Sequence, residues 1–450
     1  MRLTWSAPED LLAQELLQSA TEGRETADVA DRWAAAGGDV EPAVSGAGPT
    51  PGSPELRTLA RELLAELAGR PAAPAPNQPD DWSEIEALLP SASALSAPDP
   101  AGLESRVFGA WTGRAAGCLL GKPVEKIPRQ GIEEILRATG RRPLDRYFTA
   151  VGLPDEVAQR WPWNRRSGPT SLEENIAGMP EDDDLNYAML ALDLLERAGL
   201  GFDTEDVAQL WLENLPAGRI FTAERAAYRN ILDARPVPET ATYLNPFREW
   251  IGALIRGDVL GWVRPGDVRG AARLAWTDAR LSHTRNGVYG EMWAAALCSA
   301  SMVSATVEET LDAAAAAIPP GSDLAAAVAF GREVATRGDA VTAGLDALHA
   351  EYGHLHWVHV LNNAAVIAYA LTKGGGEFVA SISIAVTAGW DTDSVGATAG
   401  SVVGALVGAE GIGEYWTAPL RGTIATSLPG GPQRIEDLAR RTLALQEGAP

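Results

Sequence analysis

The sequence predicts an all-α protein of roughly ten or more helices, preceded by an acidic helical extension. Apolar residues recur at the spacing of one helix face, alanine-rich runs such as 311–318 favour helix, and alternating β-branched strands are scarce. The segments with this spacing are 105–121, 182–197, 204–215, 222–233, 268–276, 287–304, 307–318, 322–335, 341–351, 357–371, 377–388 and 394–409.

Residues 1–104 differ in composition from the rest of the chain. The first hundred residues hold 12 of the 30 prolines, and 17 acidic residues stand there against 6 arginines and no lysine. Helices are expected to begin at Pro8 and Pro54, while Val40–Pro54 and Arg70–Pro79 are typical of linkers. We therefore expect an acidic, proline-rich extension that is ordered only in part, a main domain over 105–430, and a C-terminal helix or tail over 431–450.

The composition argues against several classes of protein. The net charge of −23 disfavours a general nucleic-acid binder and a protein held by basic residues on anionic lipid. Two distant cysteines, Cys118 and Cys298, disfavour a disulfide framework or a cysteine zinc cluster. The N-terminus lacks a secretory pattern, and the apolar run Ser394–Ala409 is too short to span a membrane. We expect a cytoplasmic protein with no nucleic-acid or membrane partner.

The first acidic cluster stands at the predicted start of a helix. Asp182, Asp183 and Asp184 follow Glu181 and precede an apolar stripe that begins at Leu185. One aspartate is enough to cap a helix, because it satisfies free N–H groups and meets the positive end of the helix dipole. Consecutive carboxylates repel one another unless they are solvated or bridged by a cation, so both capping and a metal site remain open.

The second acidic cluster lies between two apolar segments. Asp391 and Asp393 are two residues apart, which places both side chains on one side of an extended turn. Buried carboxylates need cationic partners, and the nearest basic residues in sequence are Lys373 and Arg421. A bound cation, a distant arginine or helix capping would each answer that need. Carboxylate and hydroxyl oxygens suit Mg²⁺, Mn²⁺ or Ca²⁺ better than zinc.

Three motifs in this order resemble the ADP-ribosylglycohydrolases. Gly113–Glu125, GRAAGCLLGKPVE, is similar to the family's opening helix and its terminal glutamate, with Cys118 at a common aspartate position. Asp182–Leu185 is similar to the family's Thr-Asp-Asp-Thr, with Asp and Leu in place of the threonines. Gly389–Ser394, GWDTDS, is similar to the late Asp-Thr-Asp-Thr motif, with serine in the last place.

The resemblance implies an orthogonal multi-helix fold and a binuclear Mg²⁺ site, for which Mn²⁺ is an alternative ion. Glu125 and Asp183 are implied as catalytic residues, with Glu125 at the metal edge. The implied metal ligands are Asp182, Asp183, Asp184, Asp391, Asp393 and Ser394.

Two further segments supply candidate substrate-binding residues. Arg248 and Gly252 occupy the place of the family's glycine-rich phosphate loop, and a salt bridge is the alternative role for Arg248. The segment 282–291 resembles the family's histidine segment near the ribose, although a tight entry loop to a helix would have the same sequence. Asn362, within an apolar helix, could reach a ligand or brace a neighbouring loop. The candidates in the histidine segment are His283, Asn286, Gly287, Tyr289 and Gly290.

The function implied by the resemblance is hydrolysis of the bond at C1 of a terminal ribose. The expected substrate is an ADP-ribosylated protein or an ADP-ribosyl or ribosyl small molecule. Such a bond breaks through an oxocarbenium-like state, and a carboxylate can accept the proton of the attacking water. One alternative is a hydrolase of another ribosyl or nucleotide derivative, and a second is a catalytically silent binding protein on the same fold.

Overall fold

The structure is a computed structural model that describes residues 3–91, 95–97 and 99–447. Over these residues it is all-α, as the sequence predicts, apart from a two-stranded antiparallel sheet in which β1 (Thr423–Ile424) pairs with β2 (Gln433–Arg434). Residues 1–2, 92–94 and 98 of the predicted extension and residues 448–450 of the predicted tail lie outside the described residues.

The extension contains four helices, and the rest of the described chain contains nineteen more. The helices of the extension are α1 (Pro8–Thr21), α2 (Ala27–Ala35), α3 (Pro54–Gly69) and α4 (Trp82–Leu88). The others are α5 (Pro100–Gly121), α6 (Arg129–Ala138), α7 (Asp155–Arg160), α8 (Gly168–Ser171), α9 (Asp183–Ala198), α10 (Thr204–Asn214), α11 (Thr222–Leu232), α12 (Glu239–Thr242), α13 (Asp258–Trp262), α14 (Val268–Ala279), α15 (Arg285–Ser301), α16 (Val307–Ala315), α17 (Asp323–Thr336), α18 (Val341–Tyr352), α19 (Val360–Gly374), α20 (Phe378–Thr387), α21 (Thr392–Gly411), α22 (Glu414–Thr417) and α23 (Ile435–Glu447).

Each of the twelve segments with helical spacing forms a helix. The two that begin at the acidic clusters, predicted over 182–197 and 394–409, are α9 and α21. Helix α6 was not predicted, although Ile132, Ile135 and Leu136 form its buried face, because its apolar stripe is only about one turn long.

Helices α5 and α21 pack closely through facing glycines. A Cβ atom at Gly113 would lie 2.1 Å from the carbonyl oxygen of Gly400, and one at Gly117 would lie 2.0 Å from that of Gly396. Glycine at these positions therefore allows the two backbones to touch. This contact fixes the start of α21 beside the end of α5, where Thr392 Oγ1 donates to the Gly121 carbonyl at 2.9 Å.

The described residues of the extension pack against the main domain. Its helix α1 buries Leu11, Leu12 and Leu16, and these join the same apolar core as the main domain. The Trp5 indole is 6% exposed and meets the rings of Phe247 and Trp250 edge-on, at centroid distances of 5.5 and 5.4 Å.

Across the described residues, no single helix combines the length and apolarity needed to cross a membrane. One sharply bent pair, Thr392–Gly411 with Glu414–Leu420, meets that test by length and composition only.

Candidate functional site

The first acidic cluster caps a helix and also faces the second cluster. Asp182 is the N-cap of α9, and its carboxylate accepts the Asp184 backbone N–H at 3.0 Å. Asp184 is 2% exposed, and its Oδ2 accepts the Ser394 hydroxyl at 3.3 Å. The capping alternative therefore holds for Asp182, while Asp184 connects this cluster to the start of α21.

The second acidic cluster begins α21 and is buried. Asp391 precedes the helix but makes no side-chain capping bond, and its backbone N–H donates to Asn363 Oδ1 at 3.3 Å. Asp391 and Asp393 are each 7% exposed, and Ser394 is 5% exposed. Two stretches about 200 residues apart thus meet at the N-termini of two helices, whose dipoles favour negative charge.

The ligand atoms of this region form two compact groups, each with its atoms within 4.8 Å of one another. The first group contains Cys118, Asp182 and Asp184, and the second contains Glu125, Asp391 and Asp393. Asp184 Oδ1 is a buried atom without a hydrogen-bond partner. An oxygen-rich donor set with an unsatisfied buried carboxylate oxygen fits a hard divalent cation.

The carboxylates repel one another strongly in their buried setting. Burial, followed by the charges of neighbouring carboxylates, raises the pKa of Asp183, Asp184 and Asp391 well above the usual value. Burial and the charges of Glu125 and Asp182 raise the pKa of Asp393 to about 7. A divalent cation would relieve this repulsion, because it favours the ionised form of every carboxylate around it.

Glu125 lies at the edge of the cluster. It follows the short turn after α5, and its side chain is 18% exposed. The Asn164 amide donates to Glu125 Oε2, and the Lys126 ammonium lies 3.1 Å from Oε1. These two contacts fix the orientation of the carboxylate.

A cavity of about 1220 Å³ opens above the carboxylates. Thr4, Trp5 and Ser45 from the extension contribute to its wall. The acidic residues that line it are Glu125, Glu181, Asp182, Asp183, Asp184, Glu224, Asp391 and Asp393. The aromatic residues are Trp5, Trp161, Tyr187, Phe221 and Trp357, and the basic ones are Lys122, Lys126, Arg165, Arg166 and Arg219. The cavity thus combines carboxylates, ring faces and guanidinium groups, a mixed lining that suits a small-molecule ligand.

Only one of the eight predicted substrate-binding residues lines this cavity. Gly252 does so, and a Cβ atom there would lie 2.3 Å from Glu224 Oε1. Arg248 instead pairs with two glutamates of α1 and its C-terminal end, Glu15 at 2.9 Å and Glu22 at 2.6 Å, which is the salt-bridge alternative. The segment around Arg248, which occupies the place of the family's phosphate loop, therefore binds the extension.

The histidine segment lies against the stretch that follows α3. The Asn286 amide donates to Gln78 Oε1 at 2.7 Å, and the Tyr289 hydroxyl donates to the Pro79 carbonyl. His283 is buried, with Nδ1 2.8 Å from the Ser282 hydroxyl.

The remaining candidates are packed within the main domain. A Cβ atom at Gly287 would meet the Arg248 carbonyl at 2.4 Å, and one at Gly290 would meet Val360 Cγ2 at 2.6 Å. The Asn362 amide donates to the His356 carbonyl at 3.1 Å, which is the bracing alternative. Substrate binding by these residues stays a prediction.

Sequence reasoning missed three polar groups beside the carboxylates. Lys122 contacts Asp182, and Glu224 is a buried carboxylate of the cavity wall. The Tyr187 hydroxyl is buried without a hydrogen-bond partner and lines the cavity. The spacing of Tyr187, one helical turn after Asp183, was a signal that could have identified it.

Comparison with known proteins agrees with the three motifs. The profile of the ADP-ribosylglycohydrolase family matches residues 99–450. A solved chain described as "ADP-ribosylglycohydrolase-related protein complex" is 21% identical, and the match covers 77% of this chain and 99% of that one. The two structures align with a TM-score of 0.50, which shows a shared fold. No curated protein gives a significant match. Because the family profile covers most of the chain, the protein belongs to the ADP-ribosylglycohydrolase family and is a hydrolase of the glycosidase type.

Proposed function

We propose that the protein is a Mg²⁺-dependent glycohydrolase that cleaves the C1 ribosyl bond of an ADP-ribosylated protein or small molecule. The observation that supports this most directly is the meeting of Asp182–Asp184 with Asp391–Ser394 beside a large cavity. Oxygen donors suited to a divalent cation and room for a nucleotide-sized substrate occur in the same place.

The metal site would be formed by oxygen donors of both clusters. Asp183, Asp184, Asp391, Asp393 and Ser394 supply carboxylate and hydroxyl oxygens of the type Mg²⁺ prefers, and Mn²⁺ has similar preferences. A bound divalent cation supplies Lewis-acid polarisation and an acidified water. The resemblance implies two ions, and that number stays a prediction.

Two carboxylates suit the proton transfers of glycosidic cleavage. Glu125 lines the cavity, and its contacts with Asn164 and Lys126 hold it in place to accept a proton from the attacking water. Asp183 is the second carboxylate proposed to accept this proton. Its position at the first turn of α9 places it beside the remaining carboxylates.

A second candidate substrate class is a ribosyl compound without a diphosphate. The observation that favours it is the engagement of Arg248 by Glu15 and Glu22, which removes this guanidinium from phosphate binding. A cytoplasmic location, and the absence of nucleic-acid and membrane partners, stay predictions from composition.

The test is to incubate the purified protein and Mg²⁺ with a panel of ribosyl compounds. The panel contains an ADP-ribosylated protein, an ADP-ribosyl small molecule, a 5′-phosphoribosyl compound and a nucleoside. We expect release of ADP-ribose that is abolished by a chelator and by Asp183→Asn or Glu125→Gln. Asp193→Asn is the matched control, because Asp193 lies on the same helix and pairs with Arg441 at 2.6 Å.

The panel also separates the alternatives. Release of ribose or ribose 5-phosphate, without release of ADP-ribose, would support the second substrate class. Metal binding without release from any compound would contradict a hydrolase and favour a silent binding protein.

A further inference from the structure

Lys122 is a buried cation in direct contact with a predicted metal ligand. Its residue is 5% exposed, and its ammonium contacts Asp182 Oδ2 and donates to the Glu181 carbonyl at 3.1 Å. Asp182 Oδ1 is occupied as well, because it accepts the Asp184 N–H. Both oxygens of Asp182 are therefore engaged by groups of the protein itself.

A second cation, Arg114, lies beside the first group of ligand atoms. Arg114 is fully buried, with its guanidinium 3.6 Å from Asp184 Oδ1 and 2.8 Å from Asp258 Oδ1. Asp182 thus faces a cationic side chain that offsets its charge, whereas Asp184 shares the Arg114 guanidinium with Asp258.

In the described residues, the second group has a single direct ion pair, although Lys122 and Lys126 lie close enough to act electrostatically on its aspartates. Among the described residues, Asp391 and Asp393 form no ion pair within 4.0 Å, and only Glu125 has a cationic partner, Lys126. The Lys126 side chain is 37% exposed, so water screens its charge. Unpaired buried carboxylates are costly, and the demand for a divalent cation falls on this group.

We infer that the protein binds one divalent ion, at the group of Glu125, Asp391 and Asp393, and that the Lys122 ammonium takes the place of a second ion beside Asp182. The inference rests on the metal dependence of the proposed function and departs from the two ions that the resemblance implies. A divalent ion next to Asp182 would have to displace a buried ammonium from its carboxylate or accept its repulsion at close range. Asp182 with Lys122 is in effect a neutral pair.

The experiment measures the number of bound Mn²⁺ ions in the purified, chelator-treated full chain. Equilibrium dialysis followed by elemental analysis gives the stoichiometry, and electron paramagnetic resonance distinguishes an isolated Mn²⁺ from an exchange-coupled pair. We expect one ion per chain and an isolated-ion spectrum for the wild type. Lys122→Met is expected to bind a second ion and to show a coupled spectrum, because it exposes the Asp182 carboxylate.

Lysine occurs only three times in the sequence, so the other two provide matched controls. Lys126→Met and Lys373→Met are expected to keep one ion. Two ions with a coupled spectrum in the wild type would overturn the inference, and this measurement decides the matter even if Lys122→Met does not fold.

The stoichiometry is independent of the substrate. One bound ion without release from any ribosyl compound would contradict the proposed function and leave the inference intact. Release of ADP-ribose or ribose by a wild type that binds two ions would overturn the inference and leave the proposed function intact. No bound ion would overturn both.

Discussion

The contact between α5 and α21 makes Gly400→Ala a direct test of how the site is held. A Cβ atom at Gly400 would lie 2.1 Å from the Gly113 carbonyl oxygen, whereas ordinary contact begins at 3.4 Å. The neighbour is backbone, so relief requires the helices to separate by roughly 1 Å. Overpacking lowers the free energy of unfolding by about 1–3 kcal/mol, and the higher helix propensity of alanine raises it by about 1 kcal/mol. Because no flexible side chain can yield, we expect a net loss of about 2 kcal/mol.

Urea unfolding followed by circular dichroism measures this loss. Gly69→Ala is the matched control, since Gly69 ends α3 and a Cβ atom there would meet nothing within 4 Å. Separation of the helices also moves Asp391 and Asp393 away from Glu125, which follows α5, so weaker Mn²⁺ binding should accompany the lost stability. A Gly400→Ala protein with the stability and metal affinity of the wild type would refute the close-packing argument.

Three further predictions concern the extension and the carboxylates. Arg248→Met leaves two extension glutamates buried without this partner, so it should lower the free energy of unfolding by about 3–5 kcal/mol. Arg32→Met removes an exposed ion pair and should lower it by about 0–1 kcal/mol. Equal losses in the two variants would contradict this reasoning. Trp5→Ala removes a buried indole and should cost about 3–5 kcal/mol in the same assay, and an unchanged unfolding midpoint would show that the extension is not docked there. The pKa of Asp393 is raised to about 7 in the folded protein, whereas in the unfolded chain it is about 4. Below about pH 4 both states hold the proton, and between about pH 4 and pH 7 only the folded state holds it. Without metal, the wild type should therefore lose stability relative to Asp393→Asn as the pH rises through that window, and a constant difference between the two urea curves would refute the raised pKa.

The helices and the meeting of the two acidic clusters could be predicted because their signals are local. Helices α9 and α21 begin within two residues of the predicted positions, since an aspartate precedes an apolar stripe in both. The resemblance of the motifs implies that the two clusters share one site, and the Ser394 hydroxyl on Asp184 confirms that they meet.

The docking of the extension could not be predicted from local pattern. Glu15 and Glu22 resemble ordinary helix-surface acids in sequence, and only the fold places Arg248 between them, more than 220 residues away. The pairing of Lys122 with Asp182 was hidden for a similar reason, because 60 residues separate them. Periodicity identifies the buried face of a helix, but it carries no information about the distant side chain that will cover it.

The position of Thr4 and Trp5 has a practical consequence for work with this protein. Both residues form part of the cavity wall, so any residues fused ahead of them would emerge at its rim. An affinity tag on that side could enter the opening and compete with a ligand.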